Sequence, residues 1–136
     1  MSTPKLTVMQ VFDNTAKTHA TKPALKVKRG GTWQTTTWAQ YLQQVRQAAK
    51  AMLHLGLEKN TGVSIIAYNS PEWSIADIGA IYAGGFPAGI YTTNSPVQCQ
   101  YIAEHSDSSI AFCEDASQAA KFHEIWHDLP KCKTLV

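Results

Sequence analysis

Short apolar runs of strand length alternate with helical segments through most of this chain. The runs are GVSIIAY (62–68), PAGIY (87–91), SIAFCE (109–114) and KTLV (133–136). The segments between them have helical spacing or helix-capping residues, so a helix is expected between each strand and the next. Strands joined through helical crossovers run parallel in one sheet. The sequence therefore predicts an α/β fold, with a mainly parallel sheet and flanking helices.

Other elements precede this alternation. Residues 6–19 predict a first helix, and PALKVK and WQTTTW predict a hairpin around an RGG turn. Thr37 then begins the clearest helix, because Gln40 follows three residues later as in a capping box. Apolar side chains recur at helical spacing as far as Leu53, and Gly56 is a natural end.

The stretch 73–93 carries one formal charge, at Asp77, which raises the question of a membrane span. A spanning helix needs about 20 consecutive apolar residues. Gly84–Gly85 and Pro87 interrupt this stretch well before that length. Ser70–Pro71 is a typical helix start. We therefore expect a buried helix, a turn where helix packs closely on strand, and a buried strand.

Two more helix starts follow the same logic. Ser95 and Pro96 repeat the Ser-Pro pattern and predict a helix to about His105. Asp115 predicts the cap of a last helix, which runs to about Asp128 and is stopped by Pro130. Since KTLV reaches the last residue, we expect the sheet to be incomplete in these residues.

Composition excludes several classes of protein. The chain has 136 residues, 44% hydrophobic and 16% charged, which is typical of a globular domain with a core. The net charge of +2 argues against a nucleic-acid partner. Residues 1–60 nevertheless hold nine Lys and Arg against Asp13 and Glu58, whereas residues 61–136 hold three Lys against eight acids. This basic half either binds an anionic ligand or lipid surface, or simply solvates a hairpin.

The three cysteines indicate a reducing setting. Their number is odd and no pair has C-x-x-C spacing, so neither a disulfide framework nor a zinc ribbon is expected. The N-terminus lacks the apolar segment of a secretory signal. We therefore expect a cytoplasmic protein, with peripheral contact to a membrane left open.

The motif HEIWH (123–127) matches the zinc-hydrolase pattern H-E-x-x-H. A catalytic zinc also needs a third protein ligand, and no suitable one follows His127. An apolar stripe explains the same helix, because Phe122, Ile125 and Leu129 have core spacing. We keep zinc hydrolysis only as an alternative, and no metal ligand is assigned.

Other catalytic patterns are missing from the sequence. Neither the phosphate loop G-x-x-x-x-G-K-[ST] nor G-x-G-x-x-G occurs, and no cysteine has a defensible histidine partner. The four tryptophans are expected in the core and the hairpin rather than in a base-stacking platform. The motifs alone therefore indicate an α/β domain and no specific activity.

The whole chain, however, resembles the beginning of the AMP-forming acyl-CoA synthetases, of the adenylate-forming superfamily. The stretches that carry this are TTTWAQYLQQVRQAAKAMLHLGL, GVSIIAYNSPEWSIADIGAIYAGGFPAGIYTTNSP and QYIAEHSDSSIAFCED. With IWHDLP, they are most similar to the bubblegum-type long-chain fatty acid–CoA ligases. The resemblance implies that residues 1–136 form the N-terminal subdomain of a partial AMP-binding domain, without the C-terminal domain.

The resemblance also implies a two-step reaction. A long-chain fatty acid carboxylate attacks the α-phosphate of ATP to give acyl-adenylate and pyrophosphate, and the thiolate of CoA then displaces AMP. Mg²⁺ would bridge the phosphates of ATP in the complete enzyme. None of these cofactors is expected to bind this segment tightly.

The family's phosphate loop, adenine-binding segment, ribose-binding Asp and catalytic Lys lie downstream of the matched region. No catalytic or cofactor-binding residue is therefore assigned here, and the segment alone is expected to be inactive. Trp73 and Tyr91 could contact the acyl chain, although core packing is the simpler expectation for both. The rival interpretation is a non-catalytic module that binds an acyl chain or a protein. A fragment with uncovered edges is expected to self-associate or aggregate.

Overall fold

The computed structural model describes residues 5–136, so the first four residues of the expected domain lie outside it. These residues form a parallel sheet flanked by helices, together with a separate hairpin. The helices are α1 Val8–Thr18, α2 Trp38–His54, α3 Pro71–Tyr82, α4 Pro96–His105 and α5 Ala116–Ile125. The strands are β1 Pro23–Arg29, β2 Thr32–Thr37, β3 Gly62–Ile66, β4 Phe86–Ile90, β5 Ser108–Cys113 and β6 Thr134–Leu135.

The four later strands form one parallel sheet in the order β4-β3-β5-β6. All five residues of β3 are buried, since helices cover both faces of the sheet. Strands β1 and β2 pair only with each other, in an antiparallel hairpin. The predicted fold class is therefore confirmed.

Two hydrophobic clusters cover opposite faces of the sheet. Val63 and Ile65 of β3 face α2 and α3, whereas Ile66 faces α4 and α5. Helix α3 approaches α2 closely at Gly79, where an added Cβ would lie 3.0 Å from the Cβ of Ala48. The helix that the sequence predicted as buried therefore lies between α2 and the sheet.

A third cluster joins α1 to α2 and the root of the hairpin. The ring of Phe12 stands edge-on to Tyr41 at a centroid distance of 4.9 Å and to Trp38 at 5.6 Å. Such edge-to-face contacts add to the burial of each ring. Leu25 of β1 packs against the same cluster, so the inner face of the hairpin rests on the helices.

The predicted helix starts are confirmed by their capping hydrogen bonds. Thr37 and Gln40 form a complete capping box at α2, and Ser95 begins α4 in the same way. The hydroxyl of Ser70 accepts from the amide of Trp73 at 3.1 Å, with Pro71 as the first residue of α3. A side chain that satisfies an otherwise free amide fixes where a helix begins.

The connection from α3 to β4 has the close packing that its glycines predicted. Gly84 has a φ of +86°, a conformation that other residues rarely adopt. An added Cβ at Gly85 would lie 2.7 Å from the carbonyl oxygen of Thr61. This turn brings β4 directly alongside β3.

The end of the last helix was predicted too late. Helix α5 ends at Ile125, and Trp126–Asp128 forms a 3-10 turn rather than a continuation to Asp128. Pro130 disfavours helical geometry in the residue before it, and the chain tightens over the preceding residues. Between residues 5 and 136, no helix combines the length and apolar character needed to cross a membrane.

Candidate functional site

The carboxyl ends of β3 and β4 border a cavity of about 440 Å³. The loops that leave the two strands meet here, because parallel strands end at the same edge of a sheet. Aromatic rings, hydroxyls and backbone line it, and no lining residue carries a formal charge. The lining residues are Ala67, Tyr68, Asn69, Trp73, Gly89, Ile90, Tyr91, Thr92 and Thr93.

Trp73 forms the wall that this cavity shares with a second one. The cap at Ser70 places Trp73 in the first turn of α3, directly above the end of β3. Its ring lies 3.5 Å from where a Cβ at Gly89 would stand. Because Gly89 has no side chain, the floor of the cavity beside the indole stays open.

The second cavity, of about 360 Å³, lies over the ends of β3 and β5. The connection after β3 leads to β4 at one side of the sheet, whereas the connection after β5 leads to β6 at the other side. Open α/β sheets bind ligands at such a switch point. Its floor is apolar, with Ile65, Trp73 and Phe112, and its rim carries the charges of Arg29, Glu72 and Glu114.

An ion pair closes one side of the second cavity. Nη2 of Arg29, at the end of β1, donates to Oε2 of Glu72 at 2.7 Å. This hydrogen bond lowers the pKa of the Glu72 carboxyl below its ordinary value and raises the pKa of Arg29. The pair connects the hairpin to the start of α3.

Two residues that follow β5 along the chain fix the loops that border the first cavity. Oε2 of Glu114 accepts from the amide of Tyr68 at 2.9 Å, which fixes the loop after β3. Nζ of Lys121 donates to the carbonyl oxygen of Thr92 at 2.7 Å, which fixes the loop after β4. The edge of the first cavity is therefore anchored to β5 and α5.

The chemistry of the two cavities is that of a binding surface. Burial raises the pKa of the Cys113 thiol to about 12, so almost none of it is thiolate near neutral pH. Arg29 is already paired with Glu72. Neither cavity joins a nucleophile to a base, whereas both offer apolar walls to a ligand.

Both residues named from the sequence line the first cavity. Trp73 is partly buried and packs against the core as expected. Tyr91 is 81% exposed, so the expectation that it packs in the core is wrong. It follows the last residue of β4, where the strand leaves the cover of the helices.

Four further residues line the first cavity although they were not predicted from the sequence: Tyr68, Asn69, Thr92 and Thr93. A signal was available, since Tyr68 ends one predicted strand and the other three residues come just after a predicted strand. Residues at the carboxyl ends of parallel strands are the ordinary ligand contacts of such folds. The second cavity could not be predicted in the same way, because its lining includes Arg29, which lies on the hairpin and far from the other lining residues in sequence.

The HEIWH segment does not form a zinc site in this structure. His123 lies on α5, but His127 lies in the 3-10 turn, and both are exposed. Phe122 and Ile125 are buried as the core stripe predicted. Nowhere in residues 5–136 are three His, Cys, Asp or Glu residues grouped so as to hold a metal ion.

Curated relatives match almost all of this chain. It is 42% identical over 135 residues to the long-chain-fatty-acid–CoA ligase ACSBG2 of Xenopus laevis, covering 99% of the chain and 18% of that protein. It is 38% identical over 137 residues to ACSBG1 of Homo sapiens, also named a long-chain-fatty-acid–CoA ligase, and the match covers 99% of this chain and 19% of that protein. The chain thus spans about a fifth of the length of the relatives it matches.

Solved structures share the fold. A long-chain-fatty-acid–CoA ligase from Archaeoglobus fulgidus superposes with a TM-score of 0.84 at 12% identity, covering 99% of this chain and 28% of the other. The anthranilate–CoA ligase AuaEII, solved with anthranoyl-AMP, superposes with a TM-score of 0.83 at 20% identity, and the match covers 92% of this chain and 23% of the other. A family model described as AMP-binding enzyme matches residues 12–136, and the chain belongs to this family.

Proposed function

We propose that this chain is the N-terminal subdomain of an AMP-forming long-chain fatty acid–CoA ligase. The observation that carries the proposal is 42% identity along nearly the whole chain to a relative of that name, of which it spans 18%. The complete enzyme would convert a long-chain fatty acid, ATP and CoA to acyl-CoA, AMP and pyrophosphate. The segment itself would act as scaffold and as part of the acyl-binding surface.

The residues of this segment do not fit ATP or Mg²⁺. A triphosphate at the sheet edge would meet the carboxylates of Glu72 and Glu114, and the guanidinium of Arg29 is already paired. A metal ion would also lack a set of ligands among residues 5–136. ATP and Mg²⁺ are therefore assigned to the remainder of the proposed enzyme, and no catalytic step is assigned to this segment.

Trp73 and Tyr91 are the residues proposed to contact the acyl chain. They line the same cavity, whose walls carry no formal charge, and an apolar chain gains free energy by leaving water there. Gly89 leaves room beside the indole, since its missing Cβ would lie 3.5 Å from the ring.

The test is a chimera in which residues 1–136 replace the matching segment of the Xenopus laevis relative. We expect the chimera to form palmitoyl-CoA from palmitate, ATP, Mg²⁺ and CoA, whereas residues 1–136 alone should release no AMP above a denatured control. A chimera that folds but makes no palmitoyl-CoA, or a lone segment that releases AMP, would contradict the proposal.

The acyl contact is tested in the same chimera with Gly89→Val, which narrows the cavity beside Trp73. Val is compatible with a strand, so the fold should persist. We expect the KM for palmitate to rise about tenfold, as for a clash in an apolar pocket, with the KM for ATP unchanged. Gly89→Ala is the matched control, because its Cβ makes only ordinary contact. An unchanged KM for palmitate in Gly89→Val would remove the acyl role.

A long-chain fatty acid partitions into bilayers, so we also propose that the protein contacts a membrane peripherally from the cytosolic side. The cytosolic assignment is supported by three free cysteines, two of them buried in the core.

A further inference from the structure

The outward face of the hairpin carries Lys26, Lys28 and Trp33. Neighbouring residues of a strand point to opposite faces, so Lys26 and Lys28 share one face. Trp33 stands directly opposite Lys28 in the antiparallel register. The three residues, here called the basic–aromatic face, therefore form one continuous surface.

The inner face of the same hairpin has different chemistry. Leu25 and Val27 are partly buried, and Leu25 packs against the α1–α2 cluster. Arg29 reaches Glu72 at the start of α3. The hairpin is thus attached to the domain through one face, while the basic–aromatic face is free of these contacts.

Trp33 is 64% exposed, which is unusual for so large an apolar side chain. It contributes to none of the three core clusters. The sequence expectation that the tryptophans serve as core or hairpin anchors therefore leaves the exposed ring of Trp33 unexplained.

The stretch of sequence that contains this face carries only positive charges. Residues 14–57 contain no Asp or Glu, and their charged residues are Lys17, Lys22, Lys26, Lys28, Arg29, Arg46 and Lys50. The ion pairs found in residues 5–136 involve Arg29, Arg46 and Lys131, so neither lysine of the basic–aromatic face is neutralised.

We propose that the basic–aromatic face docks on an anionic lipid bilayer. Lysines near such a surface are attracted by its negative potential, and tryptophan is enriched at the boundary between headgroups and acyl chains. A nucleic acid is the poorer partner, because a stacking platform uses successive aromatic rings and this face has one. The inference specifies the membrane contact proposed above and is independent of the ligase reaction.

The expected size of the effect follows from the charges. Each lysine close to an anionic bilayer strengthens partitioning about fivefold, so losing both should weaken it about 25-fold. Salt should weaken the binding as well, because it screens the attraction over a Debye length of about 8 Å at physiological ionic strength.

The experiment is flotation of the 136-residue chain with vesicles in a density gradient. Flotation separates vesicle-bound protein, which rises, from aggregates, which sink. We expect the chain to float with vesicles of phosphatidylcholine and phosphatidylserine and to stay behind with phosphatidylcholine alone. Lys26→Gln/Lys28→Gln should reduce the floated fraction strongly, and Trp33→Ala should reduce it on the same vesicles. Circular dichroism of each variant checks that the fold persists.

The matched control is Lys59→Gln/Lys133→Gln, which removes the same charge from two exposed lysines outside the hairpin. It should float like the parent chain. If the floated fraction falls equally in the two double variants, only the net charge of the chain matters, and this result would overturn the inference. Equal flotation on neutral and anionic vesicles would overturn it too. Neither result would bear on palmitoyl-CoA formation by the chimera.

Discussion

Single glycines decide how closely the elements of this domain approach one another. Gly85 and Gly89 lie four residues apart, yet an added Cβ meets a backbone carbonyl oxygen at 2.7 Å in the first case and the edge of an indole at 3.5 Å in the second. The backbone oxygen belongs to Thr61, which leads directly into β3, so it cannot move aside without shifting the start of that strand, whereas the second distance is an ordinary contact. The two positions therefore tolerate side chains differently.

We predict that Gly85→Ala destabilises the domain and that Gly89→Ala does not. Overpacking against fixed backbone costs about 1–3 kcal/mol, and Leu57, whose Cδ2 would lie 3.1 Å from the new Cβ, adds to the clash. Urea unfolding measures the difference. Equal midpoints for the two variants would show that the turn before β4 relaxes easily.

The elements of this structure were largely readable from the sequence because their starts are local. The cap at Ser70, the capping box at Thr37 and the cap at Asp115 each depend on residues within one turn. The buried strand β3 was equally clear, since three of its five residues are β-branched and none is charged.

Features that depend on distant residues could not be read in this way. The contact of Arg29 with Glu72 joins residues 43 apart, and the exposure of Tyr91 depends on where the covering helices stop. Trp73 and Tyr91 were named together, but only the parallel pairing of β3 with β4 shows that they share a cavity.

At the scale of one helix, we predict that Thr37→Ala weakens the domain by about 1 kcal/mol. The change removes the hydroxyl that accepts from the amide of Gln40, and loss of such a cap typically has this cost. Thr35→Ala is the control, because Thr35 is exposed on the hairpin and caps no helix. Thermal unfolding of both variants provides the comparison, and a Thr35→Ala effect as large as that of Thr37→Ala would refute the capping argument.

As a whole, the described sheet has two outer strands with different protection. β4 contains Pro87, which has no amide hydrogen to offer to an added strand. β6 has no such residue, and its pairing continues into Val136, whose amide donates to the carbonyl oxygen of Ala111 at 2.9 Å. Within residues 5–136, β6 is therefore the edge more open to another strand.

We predict that the 136-residue chain self-associates with increasing concentration and that the contact uses β6. Val136 is 52% exposed beside this edge, so Val136→Lys should weaken association by placing a charge there. Val97→Lys is the matched control, because Val97 is 71% exposed on α4, away from β6, and the substitution is identical. Sedimentation velocity over a range of concentrations measures both. If the two variants associate equally, the contact depends on exposed apolar surface in general and not on β6. If the parent chain stays monomeric at every concentration, the open edge of β6 does not cause association. A selective effect of Val136→Lys would instead show that the outward-facing backbone groups of β6, which the pairing with β5 does not use, direct how copies of the chain meet.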